Sequence, residues 1–273
     1  METGTQTGWL TRNGLRLAVH GGGSDGPALV FQHGLCGDAR QVAEAMAGAA
    51  PQSWTCVECP GHGASDMDPN PSIASFAGHV AALAETLAET LDGPVVIGGI
   101  SMGAAIATRL AVTRPDLVRA LILVRPAWVT EAAPRNMAPN AEVGALLERL
   151  PADQAQAVFA DSATARDLAA TAPDNLASLK GFFTRAPQAQ TARLLTAISA
   201  DGPGVTPADL KALTLPALVC ATSEDAIHPA AHAEALARLI PQARLIHLPP
   251  KGRDKPAHLA ALAAAMRHFL KEI

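Results

Sequence analysis

The 273-residue chain is 49% hydrophobic with a formal net charge of -4, long and apolar enough for one large α/β domain and a modest insertion. That charge and the absence of any long basic run argue against nucleic acid as a partner. Among the four cysteines, Cys36, Cys56, Cys59 and Cys220, only Cys56 and Cys59 have C-x-x-C spacing, with no second pair to complete a zinc site, and all four read as free thiols in a reducing cytosol.

The first ten residues lack the basic and apolar segments of a secretory leader, and no apolar run reaches membrane-spanning length, so we expect a cytoplasmic protein with no membrane partner. Residues 7–12 and 15–20 flank Asn13-Gly14 and predict an antiparallel hairpin, because that dipeptide favours a tight turn with positive φ. Strands follow at about 28–32, 54–58, 94–98, 119–124, 216–221 and 243–248. Alanine- and leucine-rich helical stretches, such as 72–91 and 230–239, lie between them. Alternating strands and helices imply a mostly parallel sheet covered on both faces, with ligands at its carboxyl edge. The alternation breaks at 127–207, where helical patterns near 141–150, 152–160, 163–171, 174–185 and 187–200 are separated by prolines and the run Asn136-Met137-Ala138-Pro139-Asn140.

Four segments carry the chemistry. His33-Gly34-Leu35-Cys36-Gly37 follows the strand at 28–32. Glu58-Cys59-Pro60-Gly61-His62-Gly63-Ala64-Ser65 follows the next strand. Gly99-Ile100-Ser101-Met102-Gly103 lies between the apolar run at 94–98 and a helical stretch. Asp225-Ala226-Ile227-His228-Pro229 comes just after the strand at 216–221. Strand, G-x-S-x-G, helix describes a sharp turn that presents a serine hydroxyl above a sheet, with glycines giving the close-packed chain room.

In this order and spacing the four segments resemble the α/β-hydrolases over nearly the whole chain, apart from 127–210. The resemblance implies an α/β-hydrolase fold with residues 1–126 and 208–273 as core and 127–207 as a helical cap inserted after the sixth strand. It implies Ser101 as nucleophile, the backbone amides of Leu35 and Met102 as the oxyanion hole, and Asp225 as the acid of a catalytic triad. The turn containing His62 is structural in that family, so His62 is expected to brace a loop. Cys36 would lie near the pocket and be open to alkylation.

The sequence departs from the family at the catalytic histidine. Where the family runs on to G-H after the last strand, this chain reads Gly252-Arg253. Arginine stays protonated at physiological pH and cannot take the serine proton. Three histidines stand near enough to replace it. His247 falls within the strand at 243–248 and reads as structural. His258, at the start of the final helix, is expected to swing back towards Asp225 and act as base. His228 shares a short loop with Asp225 and is the other candidate base, reaching Ser101 from a different backbone anchor; otherwise it is expected mainly to touch substrate. Arg125, a charge at a strand's carboxyl end, would hold a substrate carboxylate or pair with an acidic cap residue. Trp128 and Arg253 are further candidate substrate-binding residues, and Met137, Phe159, Phe182 and Phe183 either line the pocket or hold the cap to the core.

We therefore expect a serine hydrolase of a small carboxylic ester, thioester or lactone, with an atypically placed base and neither metal nor organic cofactor. An α/β-hydrolase-fold lyase or C–C bond-cleaving enzyme, with Arg253 or Lys251 supplying positive charge, is the alternative. A ligand-binding protein that has lost its base is a third reading.

Overall fold

The Asn13-Gly14 turn forms as expected in the computed structural model, which describes residues 5–49 and 52–273. Both turn residues take positive φ, 52° and 78°, and join strand β1 (Thr5–Arg12) to its antiparallel partner β2 (Leu15–Gly22). Strands β3 (Asp25–Gln32), β4 (Gln52–Val57), β5 (Val95–Ile100), β6 (Val118–Val124), β7 (Ala217–Thr222) and β8 (Ala243–Leu248) complete one eight-stranded sheet. Its order is β1-β2-β4-β3-β5-β6-β7-β8. β2 meets β4 antiparallel, and every pairing from β4 to β8 is parallel.

Burial follows this topology. All six residues of β5 and of β7 are buried, as strands covered on both faces must be, whereas the edge strand β8 is largely open along its length. Helices α1 (Ala39–Ala47) and α11 (Lys255–Leu270) cover one face with residues such as Val42, Met46, Leu262 and Phe269. Helices α2 (Ile73–Leu91), α3 (Met102–Thr113) and α10 (Ala230–Leu239) cover the other through Phe76, Val80, Ile106 and Leu236. None of these helices is long and apolar enough to cross a membrane.

Between β6 and β7 the chain builds α4 (Ala138–Arg149), α5 (Ala152–Ala160), α6 (Ala163–Thr171), α7 (Pro173–Phe182), α8 (Gln188–Ser199) and the short α9 (Pro207–Lys211). Most of this insertion has its own apolar core, in which Phe159 and Phe183 pack with ring centroids 5.6 Å apart. Helix α9 instead buries Leu210 against the main core, so the chain has rejoined the sheet layer by residue 207. The insertion core also meets Leu35, Cys36 and Ala226 at the sheet's carboxyl edge. The sheet order reverses direction between β3 and β5, and a crevice opens beyond the carboxyl ends of strands at such a point. The His33-Gly34 loop leaves β3 there and Ser101 leaves β5.

Candidate active site

Ser101 sits between β5 and α3 with φ 57° and ψ -109°, outside the regions that L-residues normally occupy. The turn is over-determined by its surroundings. Ser101 N–H donates to Val124 O at 3.0 Å, and Ser101 O accepts from Ala104 N–H at 3.0 Å. The flanking glycines are sterically required. A Cβ on Gly99 would come within 2.6 Å of the Gly103 backbone, and one on Gly103 would fall within van der Waals radii of Gln32 O. The strand thus runs to Ile100, two residues past its expected end, because the turn is confined to the serine itself.

Beside it, the loop after β3 is held by two interlocked turns. Gly37 N–H donates to Gly34 O at 3.0 Å, Gly34 N–H to Gln41 Oε1 at 2.6 Å, and Cys36, at φ 57°, donates its N–H to His62 Nε2 at 3.0 Å. His62 Nδ1–H in turn donates to Pro60 O at 3.0 Å, which fixes the tautomer. Glu58 bridges the same loops, accepting from Ala39 N–H at 3.2 Å and from Ala64 N–H at 2.8 Å. Burial pushes the His62 pKa well below its ordinary value, with His33 and Arg185 adding to the effect, so the ring is neutral and braces the loop. The backbone N–H groups of Leu35 and Met102 are left without hydrogen-bond partners among the described residues. Met102 opens α3, where unpaired amides favour negative charge. Cys36 lies near the pocket as expected, and burial pushes its thiol up to about 12, so it is scarcely ionised.

Asp225 is where the charges converge. Arg125 Nε and Nη2 donate to its Oδ2 at 2.9 and 2.5 Å, and Asn175 Nδ2 of α7 donates to Oδ1 at 2.9 Å. His228 contributes both its backbone N–H, 2.9 Å from Oδ1, and its ring Nδ1, 2.9 and 3.0 Å from the two oxygens. Burial opposes ionisation of Asp225, but His228, Arg125 and Asn175 outweigh it and hold the carboxyl well below the usual carboxylate range. For His228 burial wins: it lowers the pKa, Arg125 and Lys251 lower it further, and Asp225 only partly restores it. The imidazole is therefore neutral near pH 7, able to accept a proton.

Ser101, Leu35, Arg125 and His228 line one cavity of about 250 Å³, roofed by Met137, Asn140, Asn175, Leu179 and Phe182 of the insertion and bounded by Lys251. Ser101 and His228 both line this space and are not hydrogen-bonded to each other. Among the described residues no three histidine, cysteine or acidic side chains converge to hold a metal ion.

Several expected residues lie elsewhere. His258 is buried, its Nδ1 2.8 Å from Pro249 O, and it does not line the cavity, because the loop after β8 folds onto its own helix start. Arg253 points outward: its Nε donates to Glu224 Oε2 at 2.6 Å and its side chain is 73% exposed. Trp128 is buried in the core, with Nε1–H donating to Asp201 O at 2.9 Å, and has no wall in the cavity. Arg125 does line it but is paired with Asp225, not with an acidic residue of the insertion. Phe159 and Phe183 are inside the insertion core, whereas Met137 and Phe182 reach the cavity. Asn140 and Asn175 were invisible in the sequence, where both look like ordinary helix-start polar residues. The run Pro139-Asn140 and Pro173-Asp174-Asn175, each a proline opening a helix, was the signal available.

A family model described as alpha/beta hydrolase fold matches residues 27–254. Over 129 residues, 46% of this chain, it is 30% identical to the sn-1-specific diacylglycerol lipase ABHD11 of Mus musculus. Over 49 residues, 18% of this chain, it is 53% identical to Lipase LipV of Mycobacterium tuberculosis. These matches span 39% and 19% of the two relatives' lengths. Among solved structures, a thermophilic esterase from Thermogutta terrifontis superposes with a TM-score of 0.72 at 23% identity, covering 99% of each chain. The enol-lactonase from Burkholderia xenovorans LB400 superposes with 0.67 at 22% identity, covering 97% of each. With the family model spanning most of its length and the sheet order, serine turn and crevice in place, this chain belongs to the alpha/beta hydrolase fold family.

Proposed function

We propose that the protein is a serine hydrolase of small carboxylic esters, thioesters or lactones, in which His228 serves as the base. One observation carries this reading: His228 is bonded through Nδ1 to Asp225 and lines the same cavity as Ser101. That is the division of labour a triad needs, with one ring nitrogen held by a carboxylate and the other left for the nucleophile. Ser101 Oγ passes its proton to His228 Nε2 and bonds to the substrate carbonyl carbon. The carbonyl oxygen becomes an oxyanion that accepts from the Leu35 and Met102 amides. When the tetrahedral intermediate collapses, the imidazolium returns the proton to the departing alcohol or thiol, and water repeats the sequence on the acyl-enzyme. Residues 127–207 act as a cap over a core formed by 1–126 and 208–273, and the substrate is small because the cavity is. The lipases, esterase and lactonase among its relatives and structural neighbours support ester chemistry.

A second reading, a lyase or C–C bond-cleaving enzyme, is favoured by one feature: Arg125 shares the Asp225 carboxylate and weakens its help to an imidazolium. Lys251, not Arg253, would then supply the cavity's positive charge. Labelling with a fluorophosphonate probe together with turnover of p-nitrophenyl acetate tests the choice. We expect the wild type to label and to turn over the ester, and Ser101→Ala to do neither. A wild type that does neither overturns the hydrolase reading.

A further inference from the structure

The polar side chains around the cavity are mostly committed to protein partners. Gln41 Oε1 accepts from Gly34 N–H, Lys251 Nζ stands 2.9 Å from Asp174 Oδ2, and Asn175 divides its amide between Asp225 and Ala226 N–H. Asn140 is the exception. It lies in the first turn of α4, is only 5% exposed, lines the cavity, and its Oδ1 has no hydrogen-bond partner among the described residues. An orphaned buried carbonyl is costly, and an apolar residue of similar size would remove that penalty. Its neighbours in the wall, Met137, Leu179 and Phe182, offer nothing to bond, and the oxygen is closed off in this rotamer, so its donor is a ligand in the cavity toward which the amide turns. The cavity adjoins a second crevice past Phe182, which also has Cys36, Gly37 and Ser178 as walls, and Asn140 does not line that crevice. We infer that the crevice is the way out for a leaving group, which leaves Asn140 on the acyl side of the cavity.

We propose that Asn140 is a specificity residue that accepts a hydrogen bond from an O–H or N–H on the acyl half of the substrate. The preferred substrate is then a hydroxy- or amido-substituted small acyl ester, thioester or lactone, not a plain alkyl one. The proposal rests on the hydrolase reading above. A site built around a buried polar group rejects analogues lacking the matching group far more strongly than an apolar pocket rejects a missing methylene.

The test compares kcat/KM for p-nitrophenyl 3-hydroxybutyrate and p-nitrophenyl butyrate, which share a leaving group. The wild type should prefer the hydroxylated ester by about tenfold or more. Asn140→Leu should erase that preference, and Asn140→Asp, which keeps an acceptor, should retain part of it. Without ligand, Asn140→Leu should have an unchanged or higher Tm, since no protein contact is lost; a marked fall would mark Asn140 as a structural residue and overturn the proposal. Calorimetric binding of 3-hydroxybutyrate against butyrate to Ser101→Ala and to Ser101→Ala/Asn140→Leu needs no turnover. A preference seen there in the absence of any ester hydrolysis would sink the hydrolase reading and leave the Asn140 assignment standing. Hydrolysis of both esters at equal efficiency, or a preference that survives Asn140→Leu, overturns the assignment.

Discussion

Arg125 Nη2 lies 3.1 Å from Nδ1 of His228, and both groups bond the same carboxylate of Asp225. A guanidinium can only donate and stays charged, so adding a proton to His228 puts a second cation beside the first.

This coupling predicts a pH profile. Burial, then Arg125, lower the His228 pKa below 6.5, so the neutral, active base persists at pH 7 and activity falls only as pH drops further. Arg125→Gln removes the cation and should move the acidic limb of kcat/KM upward by about one pH unit. A limb that stays in place or moves downward would show that His228 is not the titrating base or that Arg125 does not act on it.

The two histidines should separate cleanly in kinetics. His228→Ala should lower kcat by about 10²–10⁴, the range for losing a positioned general base. His258→Ala should leave kcat within about tenfold but destabilise the fold by about 1–3 kcal/mol, because Pro249 O would lose its buried partner. Measuring kcat and urea midpoints for both variants decides the matter; a kcat collapse confined to His258→Ala would return the base to the position first expected from the sequence.

Restoring the family's histidine should not help. Arg253 is directed at Glu224 on the outside of the loop, so Arg253→His should change esterase turnover by less than about threefold, since a base must be placed within hydrogen-bond reach to act. A gain on the order of a hundredfold would mean that the loop readily turns its side chain inward.

Acid stability is a further consequence of the buried rings. Burial lowers the pKa values of His33, His62 and His228, so below pH 6.5 the unfolded chain binds protons that the native state does not. Stability is therefore full above 6.5 and is lost as pH falls through that window, by up to about 1.4 kcal/mol per pH unit for each neutral ring. His62→Gln, with an amide oxygen to accept from Cys36 N–H, should flatten the slope by about one proton's worth. Urea midpoints that do not change between pH 7 and pH 5 would contradict this account.

The strand and helix pattern and the serine turn are legible in the residues alone. Hydrophobic runs such as 95–98 and 217–221 are continuous because both sheet faces are covered, and Gly99 and Gly103 are dictated by backbone closeness that no larger residue survives. Ser101, Leu35, Met102 and Asp225 follow from short local motifs, and the structure draws Ser101, Leu35 and the Asp225-bound His228 around one cavity. The environment of each charge comes from packing between segments far apart in the chain. Arg125 and Asp225 are a hundred residues apart, and only the parallel pairing of β6 with β7 makes them partners. The outward turn of Arg253, the seclusion of His258 behind Pro249 and the unpartnered burial of Asn140 in the cavity wall depend on loop path and helix phase. Those are set by packing between distant segments, which local propensity does not encode.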